Sequence, residues 1–165
     1  MKRFFTLLLL TLAIAGITTT SQAQQTKYHG EVYVAGGYGI GSVPMHRVQL
    51  HTIHGARIGE VVSLGIGLGA DIHTPDFDSG FLMIPLFADL KLYAPTRGNF
   101  DPFVMFDIGY ALEVEDQIGG MMLNAGLGFK AGVFAMSLGY NLQQLSVSGV
   151  GINMGALQLK LGVAF

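Results

Sequence analysis

The chain has 165 residues, half of them hydrophobic and only 12% charged, with no cysteine and a formal net charge of −2. Such a chain holds one domain, has no disulfide to staple it, and offers no basic footprint for nucleic acid. Its apolar content suits either an unusually hydrophobic soluble domain or a barrel that turns an apolar face to lipid, and the period of the pattern decides between them.

Lys2 and Arg3 precede an apolar run from Phe4 to Ile17, followed by small polar residues and Ser21-Gln22-Ala23. That order of basic, apolar and small residues predicts a signal peptide over residues 1–23, cleaved after Ala23. Thr6, Thr11 and Gly16 interrupt the run, which falls short of the roughly 18 apolar residues expected of a membrane anchor. The expected mature domain, residues 24–165, keeps seven of the nine Lys and Arg against eleven Asp and Glu, a formal charge of −4.

Eight segments with period-two alternation follow. In Tyr28–Ile40, Val32, Val34 and Tyr38 oppose His29, Glu31 and Tyr33; in Met45–Ile58, the least regular, Val48, Leu50 and Thr52 oppose Arg47, Gln49 and His51. Val61–His73 is the cleanest, with Val62, Leu64, Ile66, Leu68, Ala70 and Ile72 on one parity and Ser63, three glycines, Asp71 and His73 on the other. Leu82 to Leu92 alternates against Phe81 to Tyr93, and Val104 to Tyr110 against Met105, Asp107 and Gly109. Met121 to Phe129 opposes Met122 to Lys130, Phe134 to Leu142 opposes Ser137 to Gln143, and Leu157 to Phe165 closes the series. Alternation over about 9–11 residues is what a tilted membrane strand needs.

An even number of antiparallel strands closes without edges and brings both ends to one side. Gly59-Glu60 and Ala131-Gly132 read as tight periplasmic turns, and Ala94–Asp101 as a longer one; Gly41–Pro44, Thr74–Gly80, Glu113–Gly119 and Ser146–Gly151 read as outer loops. Tyr28 and Tyr38 share the lipid parity and fall about 25 Å apart along the membrane normal, the spacing of two aromatic girdles. The expected fold is all-β, an eight-stranded antiparallel up-and-down transmembrane β-barrel. In this pattern, and in the final Phe165, the mature chain resembles the small eight-stranded outer-membrane barrels of Gram-negative bacteria, the OmpA/OmpX-like family. That resemblance implies that the last strand is a signal to the barrel-assembly machinery, carried here by Val163 and Phe165. The glycine usual further upstream is replaced by Lys160.

An eight-stranded barrel is just wide enough inside for side chains to fill it. The inward parity predicts a polar, packed lumen with four acids and five bases: Glu31, Arg47, Arg57, Asp71, Asp89, Lys91, Asp107, Lys130 and Lys160. Buried charges must be paired. Strand order suggests Arg47 with Asp71, Glu31 between Arg57 and Lys160, and Lys91 near Asp107. Gly65-Ile66-Gly67-Leu68-Gly69-Ala70 fits the dinucleotide fingerprint in letters only, because it opens no helix; small residues relieving crowding explain it. His29, His51 and His73 fall at three heights, so no metal site and no cofactor is expected. Ser63 and Ser137 lack a nearby His, and no outward Ser-His pair is evident, so no catalytic residues are assigned.

Asp76, Asp78, Glu113, Glu115 and Asp116 make the outer loops acidic; solvated loops that keep the chain soluble are the first reading, and divalent bridging to lipopolysaccharide phosphates is the alternative. The expected role is a structural or interaction barrel of the cell outer membrane, with no large pore, no nucleic acid partner and a monomeric state. Its partners would be outer-membrane lipid and lipopolysaccharide, with the assembly machinery and periplasmic chaperones during biogenesis. The alternatives are a lipid-A-modifying enzyme, a narrow channel, or a soluble lipocalin-like carrier with apolar residues inside.

Overall fold

The computed structural model describes residues 26–41, 43–76, 79–96, 98–114, 118–147 and 150–165. The expected signal peptide and the acidic residues Asp78, Glu115 and Asp116 lie outside the described residues. Eight strands are formed: β1 (Thr26–Ile40), β2 (His46–Ile58), β3 (Val62–Asp76), β4 (Ser79–Tyr93), β5 (Phe100–Glu113), β6 (Gly119–Ala131), β7 (Phe134–Val147) and β8 (Val150–Ala164). Each pairs antiparallel with the next, and β8 closes on β1. At that seam Gly30 and Phe165 exchange both backbone hydrogen bonds at 2.8 Å, and closure leaves no edge to be satisfied by water.

The register fixes the shape. A path of directly paired residues runs Gly30, His54, Ile66, Ala88, Ile108, Leu123, Leu142, Gly155 and returns to β1 at Ile40, ten residues beyond its start. For eight strands at ordinary spacing that stagger corresponds to a tilt of about 40° and a backbone radius of roughly 8 Å. Residues at one height are therefore not those at one position in each strand.

One face of each strand points outward and is largely apolar. Ile66, Leu127 and Leu138 are 66%, 67% and 61% exposed, while Glu31, Asp107 and His73 on the inward parity are 0% exposed. This arrangement is the inverse of a soluble carrier and overturns the lipocalin-like alternative. The short turns at one end, hereafter the turn end, rest on Gly59 and Gly132, whose φ of 62° and 61° suits glycine. At the opposite, loop end the strands run further than the sequence pattern suggests. Asp76 pairs with Ser79, and Ser146 with Gly151, where longer loops were expected. Beyond the apolar belt, alternation is no longer imposed by lipid, but the backbone ladder continues.

Candidate functional site

The lumen is layered, not uniformly polar. At the turn end Tyr93, Phe103 and Met105 cluster, with the Arg57 guanidinium 4.2 Å over the Tyr93 ring. Next comes an ionic layer. Lys91 Nζ donates to both oxygens of Asp89 at 2.8 Å and lies 2.9 Å from Glu31 Oε2 on β1, across the lumen. His29 Nε2 donates to Glu31 Oε1 at 2.6 Å. Lys160 Nζ on β8 likewise reaches Asp107 Oδ2 on β5 at 2.9 Å, and Asn124 Nδ2 donates to the same oxygen at 2.7 Å.

Higher up, Asp71 accepts from Gln49 Nε2 at 2.5 Å and from His51 Nε2 at 2.6 Å. Arg47 donates through Nη1 to Asn141 Oδ1 and through Nη2 to the Met154 carbonyl, the latter at 3.3 Å. At the loop end Met83, Ala111, Leu145 and Met154 form an apolar plug, against which Met45, Phe81, Ile118 and Ile152 pack. The polar interior expected from the inward parity is corrected by these apolar end layers and by a further buried cluster of Tyr33, Ile53, Phe87, Met122 and Ala135 between them.

Of the nine charged residues assigned inward, Glu31, Arg47, Asp71, Asp89, Lys91, Asp107 and Lys160 are buried, and Arg57 and Lys130 are half-buried. Arg57 sits at the turn-end rim, where Nη2 donates to the Glu60 carbonyl at 2.7 Å and to Asp101 Oδ2 at 3.4 Å. The expected pairs are replaced. Register sets Lys160 opposite Ala35 and Arg57 opposite Lys27, each four residues from the positions facing Glu31. Long lysine side chains span the narrow lumen instead, joining β4 to β1 and β8 to β5. Arg47 and Asp71 stand in adjacent strands, but each has its own neutral or histidine partners. Glu113 is also corrected: it ends β5, paired in register with Met83 and almost buried, and is not part of an exposed loop.

The glycines of β3 do serve packing. A Cβ on Gly67 would stand 2.2 Å from the Phe87 ring, and one on Gly69 would stand 2.2 Å from the His51 ring. Ser63 and Ser137 are buried in the lumen, and His73 stacks on Phe81 at 5.2 Å.

An eight-stranded closed barrel with an apolar wall and a filled lumen has clear structural counterparts. The outer-membrane enzyme PagL superposes with a TM-score of 0.58 at 14% identity, over 81% of this chain and 98% of PagL. Neisserial surface protein A, NspA, superposes with a TM-score of 0.59 at 12% identity, over 86% of this chain and 98% of NspA. The fold is that of the small eight-stranded outer-membrane barrels. No family model matches the sequence, and no curated protein matches it. The solved barrels of this fold thus include one enzyme and one surface protein by description.

One polar cluster on the outer wall escaped the sequence reading. His54 Nδ1 lies 2.6 Å from the Tyr28 hydroxyl, and His54 Nε2 lies 3.0 Å from Thr52 Oγ1. Thr52 and His54 are two residues apart, hence on one face, and that spacing was the available signal.

Proposed function

We propose that this chain is an integral outer-membrane barrel with a structural or interaction role, without catalysis and without a large open pore. The observation that supports this most is the filled lumen, with an ionic layer crossed by two lysine bridges and an apolar plug at the loop end. In this reading residues 1–23 direct export and are removed, the short turns face the periplasm, and the plugged end faces outward. Val163 and Phe165 would be read by the assembly machinery, with periplasmic chaperones acting before it. The folded monomer would be surrounded by outer-membrane lipid and lipopolysaccharide. Fractionation of cells, with heat-modifiable migration on gels, tests the location and the barrel. Planar-bilayer recordings on refolded protein test the pore, and large stable conductance steps would overturn the sealed-lumen reading.

A second reading, a lipid-modifying enzyme, is favoured by the Thr52–His54–Tyr28 cluster alone. In that reading the Thr52 hydroxyl would add to an ester carbonyl as His54 takes its proton, the ester C–O bond would break with the alcohol leaving on that proton, and water would free the acyl group, with Tyr28 orienting the ring. It ranks second because a tyrosine is a weaker orienting group than a carboxylate. Mass spectrometry of membrane lipids from cells with the wild-type gene and with His54→Ala separates the readings; a lipid species lost only in the variant would favour the enzyme.

A further inference from the structure

The apolar wall carries several shallow grooves, and the largest among the described residues lies where the chain's own side chains leave a slot open. Leu138, Leu159, Gly36 and Val48 stand side by side in register on outward positions of β7, β8, β1 and β2. Gly36 is the member without a side chain, and a Cβ built there meets nothing within 4 Å. Three other outward glycines are roofed by an aromatic ring of this chain: Gly30 by Phe165, Gly119 by Tyr110 and Gly155 by Tyr140. Gly36 has no such roof. The resulting cavity measures about 440 Å³ and includes Leu157, Leu159, Leu138 and Val48 in its lining.

Its loop-end margin is polar. Tyr38 and His46 stand there with ring centroids 4.8 Å apart, and Thr74 pairs with His46 in register. The backbone of Gly37, Arg47 and Gln158 forms the floor, since the Arg47 and Gln158 side chains are buried in the lumen.

We propose that this slot is a binding site for one acyl chain of a membrane lipid, whose polar head meets Tyr38, His46 and Thr74. The slot opens on the wall that faces the bilayer, and its volume lies within the range of about 300–1,000 Å³ typical of small-molecule sites. An apolar body with a polar margin towards the barrel end matches the order of chain and head in one leaflet. A second copy of the barrel is the poorer occupant. A symmetric contact would set slot against slot, with no ridge to fill either. The site rests on the membrane reading above, and in that orientation it lies in the outer leaflet.

The test uses the folded mature chain in phosphatidylethanolamine vesicles containing a trace of the same lipid with a photoreactive diazirine on one palmitoyl chain. Peptide mapping after irradiation should place adducts mainly on residues 34–38, 46–48 and 157–159. Gly36→Phe supplies the missing ring and should reduce those adducts about tenfold, the effect of displacing roughly two buried methylenes. Ala125→Phe, on the wall at β6, should leave them unchanged. Adducts spread evenly around the belt, or unchanged in Gly36→Phe, would overturn the site. Should Gly36→Phe fail to fold, the wild-type adduct map decides alone. Failure of the wild-type chain to float with vesicles would instead sink the membrane reading and the site with it.

Discussion

Lys91 and Arg57 are both inward-facing cations near the turn end, yet their surroundings differ in kind. Lys91 is buried, with Asp89 at 2.8 Å and Glu31 at 2.9 Å. Arg57 is half-buried at the rim, stacked on Tyr93, with Asp101 at 3.4 Å and side chains 17% and 20% exposed. Water can replace a partner at the rim but not in the centre. The same charge that is obligatory in the ionic layer should therefore be dispensable one layer below it.

The largest effect is expected from Lys91→Met. It leaves Glu31 and Asp89 without their shared cation in a layer where Asp107 is already committed to Lys160. Removing one partner of a buried ionic group costs about 3–5 kcal/mol. Since the chain has no Trp, the folded fraction is best read from unheated gels across a urea series in vesicles. Adding Glu31→Gln to Lys91→Met should recover part of the loss. A Lys91→Met barrel as stable as wild type would remove the distinction between centre and rim.

The wall and the lumen were not equally legible in the sequence. On the wall every outward position answers to one solvent, so parity alone identifies Val62 through Ile72, or Leu82 through Leu92, as lipid-facing, and the strand count and closure follow. In the lumen, parity identifies Glu31, Asp107 and Lys160 as inward but not their partners. A stagger of ten residues around the barrel moves heights apart, so neighbours by strand order, such as Glu31 and Lys160, miss one another. The reach of lysine across a lumen of roughly 8 Å backbone radius then makes partners of strands that do not touch, and no local pattern records this. The loop-end plug was closer to legible. Phe81 and Met83 stand on the inward parity, and their apolar character already contradicts a uniformly polar interior.

A charge placed on the other face of the sheet sharpens the contrast between wall and lumen. Ile66 is 66% exposed and lies about midway between the heights of Tyr28 and Tyr38 on the outer wall. Ile66→Arg should cost about 2–4 kcal/mol at that depth, somewhat less than the loss of Lys91 although it adds a charge and removes none. The same gel assay reads it, with Ile66→Leu as the neutral control. An arginine tolerated there without loss would mean that position 66 does not face hydrocarbon.

The smallest effect is expected at the rim itself. Arg57→Ala removes a guanidinium whose hydrogen bonds go to the Glu60 carbonyl and, at 3.4 Å, to Asp101. Both acceptors sit beside the short turn and the Pro95–Thr96 segment, where a water-sized molecule has room to replace it in a cavity of about 290 Å³. An exposed ion pair is worth about 0–1 kcal/mol, and the lost stacking on Tyr93 adds about 0.5–1 kcal/mol at such a site. Raising the salt concentration screens the Arg57–Asp101 attraction in wild type but leaves the Tyr93 contact largely intact. The difference between wild type and Arg57→Ala should therefore shrink with salt without vanishing, whereas the Lys91→Met difference should barely change. A rim variant as damaging as Lys91→Met, and equally insensitive to salt, would show that Arg57 belongs to the sealed interior and that the ionic layer extends to the mouth of the barrel.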